Sequence, residues 1–215
     1  MGSLAEQVRD SIRSQFEQQE GSHDWFHIER VVNNALFIQQ REGGDAELVE
    51  LAALLHDIAD HKYHGNDFSI GSSKAKELLL ELGASEELAQ NVADIIDVVS
   101  FKGALVADVP ISLEGTIVRD ADRLDAIGAI GIARAFAYGG SRNRPLYNPD
   151  ITPKMHQSKE EYAHSKSHTV NHFYEKLLLL KDRMETETAK QMAAERHARM
   201  EQFLSDFYQE WNPNK

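Results

Sequence analysis

The 215-residue sequence contains no cysteine. That absence removes disulfides, thiolate nucleophiles and cysteine-ligated zinc sites, and it agrees with a reducing compartment. Long apolar runs are missing too. No stretch approaches the roughly 20 residues needed to cross a bilayer, and the opening MGSLAEQVRDSIRSQF has no apolar segment resembling a signal peptide. Positive charge is scarce: 23 Lys and Arg stand against 35 Asp and Glu, a formal net charge of −12. Such a surface repels phosphate backbones and disfavours a protein that coats duplex nucleic acid, short of a local basic groove. Convincing strand alternation, an internal repeat and a dividing linker are absent as well. A soluble, cytoplasmic monomer or homodimer without membrane or duplex partners is expected.

What is present is helical. Hydrophobic residues make up 41% and charged residues 27%, enough to bury a core. Leu4, Val8, Ile12 and Phe16 recur at four-residue steps behind a Ser3/Glu6 capping box. A second helix is predicted from near Asp24 to the Gly43-Gly44 stop. A third begins near Asp45, and its almost wholly apolar run places it in the core. Further helices read near 67–82, near 85–100 with Ser85 as N-cap, and around 114–137 as one long helix. Residues 138–157 form a loop rich in Gly, Pro and Asn, and a loop of that length is more often functional than idle. A second capping pair, Ser158 and Glu161, precedes the last helices, roughly 159–184 and 186–210. The prediction is all-α, one domain over 1–215, with a core at about 20–137, the loop at 138–157 and C-terminal helices at 158–211.

Three polar elements interrupt this apolar pattern. His56-Asp57 ends LVELAALLHD, and charged groups are rarely buried unless paired or bound to a metal. Successive helix residues point about 100° apart, so the two side chains can converge on one ion. A helix C-terminus that favours His at its negative end explains the pair equally well. His27 lies one turn inside its helix beside Trp25, Phe26 and Ile28, and reads either as a packed, hydrogen-bonded residue or as a ligand. Asp24, in the other His-Asp dipeptide, is well explained as an N-cap. In RDADRLDAIGAIGIAR, Ile117, Ala121, Leu124 and Gly128 trace a core stripe. Asp122 and Asp125 share an adjacent face, and Asp120 suits the helix start. Salt bridging with Arg119 and Arg123 is the competing reading of these carboxylates.

The order His, then His-Asp, then Asp on successive helices resembles the H…HD…D pattern of the HD-domain superfamily of metal-dependent phosphohydrolases. HDWFHIERV, LAALLHDIAD, VVSFKG, RDADRLDAIGAIGIARAF and the run from TVNHFYEK to FYQEW look like one bacterial single-domain group that includes nucleotide pyrophosphohydrolases. The resemblance covers about residues 20–211. It implies His27, His56, Asp57 and Asp122 as metal ligands, Asp122 being the second Asp of the "DAD".

Two imidazoles and two carboxylates suit one divalent ion, with Mn²⁺ preferred, partly from the resemblance, over Fe²⁺, Co²⁺, Ni²⁺, Zn²⁺ or Mg²⁺. Two-metal relatives resembling phosphodiesterases need further histidines before the last Asp. Only His61 and His64 lie in that interval here, so one ion is expected. Asp60 shares the face of His56-Asp57 if the helix continues, as a general acid/base or as an exposed helix-end carboxylate. Lys62 is a candidate phosphate contact. Arg142 and Arg144 on the loop match phosphate geometry, or make salt bridges, and His172 with Lys176 can complete the pocket wall. Tyr147 is a candidate for stacking on a base. The expected reaction is hydrolysis of a (deoxy)nucleoside triphosphate, a small-molecule nucleotide substrate, to monophosphate and pyrophosphate. A phosphomonoesterase, a phosphodiesterase or a nucleotide sensor on the same ligands is the alternative.

Overall fold

A computed structural model describes residues 2–17, 24–58, 69–99, 108–154 and 167–213. These residues carry nine α-helices, one 3₁₀ helix and no strand. No described helix is long and apolar enough to cross a membrane. Contacts divide the chain into two compact units, Met1–Phe101 with Ala107–Asp122, and Lys102–Val106 with Arg123–Lys215.

The first unit holds α1 (Leu4–Glu17), α2 (Trp25–Glu42), α3 (Ala46–Leu55), α4 (Ser69–Glu81), α5 (Glu86–Val99) and most of α6 (Leu113–Asp125). Side-chain caps set the helix starts. Ser3 and Glu6 exchange hydrogen bonds across the first turn of α1. Asp24 accepts from the His27 amide, Asp45 from Leu48 and Ser85 from Leu88. Each cap satisfies an amide that the helix itself leaves without an acceptor. The predicted stop of α2 is Gly43, at φ +86, a conformation open to glycine. α3 packs against α1, α2 and α5, which explains its apolar character all round: Leu51, Ala52, Ala53, Leu54 and Leu55 are fully buried. Val8 and Ile12 bury the inward face of α1.

The second unit holds α7 (Gly128–Ser141), α8 (Thr169–Glu175), the 3₁₀ helix Leu177–Arg183 and α9 (Glu187–Trp211). Phe136, Phe173, Phe203 and Phe207 form its aromatic centre, with ring centroids 5.7–6.5 Å apart.

Three expectations about elements need correction. The helix expected over 114–137 is two helices, parted at Ala126–Ile127, because Gly128 takes φ +76. Arginine side chains add donors to the carbonyls at that break: Arg196 reaches Leu124 O at 2.5 Å, beside Ile127 N, and Arg134 reaches Asp125 O at 3.1 Å. The loop expected from 138 begins later, since α7 runs on to Ser141. The helix expected over 159–184 is not continuous either. After α8 the chain turns at Lys176 into a 3₁₀ helix, where the i, i+3 pair Leu177 and Leu180 is buried on one side. The Ser158/Glu161 capping pair lies outside the described residues.

Candidate metal centre

His27 is the third residue of α2, and the Asp24 cap holds its amide at 2.9 Å. Its side chain is 1% exposed. His56 closes α3 as its C-cap, with Asp57 next, and both follow the most apolar helix of the chain. Asp122 lies within α6, its side chain partly open to solvent. The fold therefore brings together residues separated by almost a hundred positions, all within the first unit.

Their distances are short. His27 Nε2 and His56 Nε2 stand 3.3 Å apart, with the rings edge to face. Asp57 Oδ2 is 3.5 Å from each of these nitrogens. Asp122 Oδ1 is 3.7 Å from His27 Nε2 and 3.9 Å from His56 Nε2. His27, His56 and Asp57 form a mutual cluster within 4.8 Å, and Asp122 adds its oxygen from the side of the two imidazoles.

The donor set fits a divalent cation. Ligand atoms about 2.1 Å from a shared ion stand roughly 3.0 Å apart at right angles and roughly 3.4 Å apart in a tetrahedron. The observed separations, 3.3–3.9 Å, are close to the tetrahedral figure and slightly open. The tautomer agrees as well. His56 Nδ1 lies 2.8 Å from Ala53 O, so Nδ1 carries the proton and donates, leaving the Nε2 lone pair directed at the cluster. Two imidazoles and two carboxylates gathered this closely call for a positive charge among them.

The acidic residues around Asp122 are used differently. Asp125 is 1% exposed and pairs with Arg134 at 2.5 Å. Arg119 donates to Val109 O and Arg123 to Arg183 O, so both arginines tie backbone segments to α6. Sequence reasoning missed Asn34, whose amide reaches Ala121 O at 3.5 Å, beside Asp122. Its only signal was position, two helical turns after His27 on the same face. The Ala53 carbonyl had no side-chain signal at all.

Asp60 and Lys62 lie outside the described residues, as do His61 and His64. The other four expected residues are in the second unit. Arg142 and Arg144 both place their guanidinium groups over the Tyr138 ring, 5.5 and 5.7 Å from its centroid. His172 is densely surrounded, and this desolvation pushes its pKa down to about 3, helped by the positive charges of Lys176 and Arg144. Arg144, His172 and Lys176 thus share one neighbourhood. Tyr147 is committed elsewhere: its ring meets His168, Phe207, Tyr208 and Trp211 edge to face at 5.0–5.9 Å.

An all-helical fold built around a His/His-Asp/Asp cluster defines the class, and the HD-domain family model matches residues 25–127, the span from α2 to the α6–α7 break. The chain belongs to the HD-domain family of hydrolases. It is 40% identical to YpgQ of Bacillus subtilis over 201 residues, 93% of this chain and 90% of that one. A crystal structure of YpgQ in complex with ADP matches with a TM-score of 0.74 and 38% identity, over 96% of this chain and 94% of that one. A Lactobacillus plantarum protein of known structure matches with a TM-score of 0.86 and 34% identity, over 100% of both chains. An HD-superfamily hydrolase from Bacillus thuringiensis matches with a TM-score of 0.76 and 42% identity, over 97% of this chain and 96% of that one.

Proposed function

We propose that this protein hydrolyses (deoxy)nucleoside triphosphates to the monophosphate and pyrophosphate, using one divalent ion held by His27, His56, Asp57 and Asp122. The observation that carries the reading is the convergence of the two Nε2 atoms with Asp57 Oδ2 and Asp122 Oδ1 at 3.3–3.9 Å. The ADP complex of YpgQ supports a nucleotide ligand. Mn²⁺ is the proposed ion, partly from the family resemblance; mixed nitrogen and oxygen donors suit it, and equally Fe²⁺, Co²⁺, Ni²⁺ or Zn²⁺, better than Mg²⁺.

An ion bound there supplies Lewis acidity toward a phosphoryl oxygen and a lowered pKa for water. The side chains contribute the rest. His56, fixed by Ala53 O, keeps its ring oriented with Nε2 toward the cluster. Asp57 and Asp122 bring negative charge that offsets the cation's. In the reaction, water oxygen bonds to the α-phosphorus, the bridging bond to the β-phosphate breaks, and pyrophosphate departs. Asp60 is proposed to accept the water proton and Lys62 to meet a phosphate oxygen. Arg142, Arg144 and Lys176 supply cations, and His172 a neutral imidazole, for the phosphate chain.

The test is turnover of metal-stripped protein with Mn²⁺ added back, on a nucleotide panel with products resolved by ion exchange. Monophosphate plus pyrophosphate is expected. Orthophosphate would move the assignment to a phosphomonoesterase, and opening of a cyclic nucleotide to a phosphodiesterase. A nucleotide bound but left intact would make the domain a sensor.

A further inference from the structure

The loop that carries the two arginines is stapled to α8 at three levels. Near its start, Thr169 N donates to Pro145 O at 3.0 Å and Val170 N to Leu146 O at 3.1 Å. In the middle, His168 Nε2 and Asn171 Nδ2 both donate to Ile151 O, at 3.1 and 3.0 Å. His168 is in the matching tautomer, because its Nδ1 accepts from Asn171 N as the N-cap of α8. At the far end the acceptor is a carboxylate. Glu175 Oε1 takes a hydrogen bond from Lys154 N at 3.1 Å and one from Ser167 Oγ at 3.2 Å. Glu175 is 5% exposed.

This last contact differs from the others in kind. One buried side-chain oxygen serves two donors, and leaving those donors without an acceptor is costly. It also joins chain segments on both flanks: Lys154 ends the described loop, Ser167 precedes α8, and Glu175 is the last residue of α8. His172 lies one turn before Glu175, and Lys176 directly follows it. Arg144 belongs to the stapled loop and acts electrostatically on His172.

We infer that Glu175 is a positioning residue: its two hydrogen bonds hold residues 144–154 and α8 as one frame that presents Arg144, His172 and Lys176 together to an anionic ligand. The inference rests on the proposed role of that trio in contacting phosphates. A frame assembled before the ligand arrives spares the cost of ordering long cationic side chains on binding.

The test is calorimetric titration of inorganic pyrophosphate into the full chain with Mn²⁺ in excess, at low temperature, with the folding of each variant checked first. Arg144→Ala and Lys176→Ala are expected to weaken binding about tenfold each, as is Glu175→Ala. Glu175→Gln keeps an oxygen acceptor for both donors and should stay within about twofold of wild type. Mn²⁺ affinity should be unchanged throughout. A Glu175→Ala protein that melts earlier but binds pyrophosphate normally, while the two cation variants lose binding, overturns the positioning role alone. Equal losses in Glu175→Gln and Glu175→Ala overturn it as well. Normal binding by Arg144→Ala and Lys176→Ala would instead remove the phosphate-contact reading beneath it. Should Glu175→Ala fail to fold, Ser167→Ala decides: an affinity loss supports the role and none refutes it.

Discussion

His56 Nδ1 stands 2.8 Å from the carbonyl oxygen of Ala53, three residues earlier in the chain. One backbone acceptor thus decides which face of the imidazole remains a lone pair, and the lone pair is turned toward His27 and the two carboxylates. This orientation is what makes a helix C-cap residue a candidate ligand.

Replacing His56 or Asp57 with alanine is expected to abolish stoichiometric Mn²⁺ binding. The loss should be at least about 100-fold in affinity, beyond the 10–100-fold typical of residues that only support ligands. Metal analysis after gel filtration reads it directly, and unchanged metal content in both variants would remove the centre from consideration.

Core packing at α3 yields a stability prediction. Leu54 is fully buried in a helix with neighbours on three sides. Leu54→Ala should cost about 2–5 kcal/mol, read from the denaturant midpoint at unchanged slope. A cost below 1 kcal/mol would mean that α3 is not the centre of the first unit's core.

Gly128 combines φ +76 with a crowded neighbour, since an added Cβ would lie 2.9 Å from Arg196 Cβ and Cγ. Gly128→Ala is therefore expected to destabilise by about 1–2 kcal/mol from the backbone conformation alone. An unchanged melting curve would contradict the break between α6 and α7.

Acid stability should carry the mark of His172. Its folded pKa, about 3, lies below the unfolded chain's ordinary value of 6.5. Between these two values the unfolded chain binds a proton that the folded one refuses. Stability accordingly falls as pH drops from about 6.5 toward 3, with a slope of up to about 1.4 kcal/mol per pH unit from this group. His172→Gln should flatten that limb in denaturant titrations at pH 6, 5 and 4. An equally steep limb in the variant would mean that His172 is protonated in the folded protein.

Several helix starts were legible because they are written in side chains. Asp24, Asp45 and Ser85 cap where their sequence context places them, and the apolar run of α3 announced its burial. The ends were harder to read. No proline marks the break after Asp125, and the glycines of Gly128–Gly131 read as close helix packing. The groups that stabilise the break, Arg134 and Arg196, come from elsewhere in the chain. Four consecutive leucines at 177–180 suit an α-helix and a 3₁₀ helix equally, so the turn at Lys176 had no signal. The four clustered residues could be named from their order along the chain, whereas Ala53 O could not, being a backbone atom with no letter of its own. The edge-to-face packing of Tyr147 on His168, Phe207, Tyr208 and Trp211 had no signal either, because those partners come from later in the chain.

The capping of α6 also has a consequence for the timing of synthesis. Leu124 O accepts locally from Ile127 N and, more closely, from Arg196, 72 residues further along the chain. At roughly 5–20 residues per second on the ribosome, that partner follows by some 4–14 s. The last turn of the helix bearing Asp122 therefore leaves the ribosome well before the chain can finish it, and α1–α5 have that interval in which to fold ahead of it.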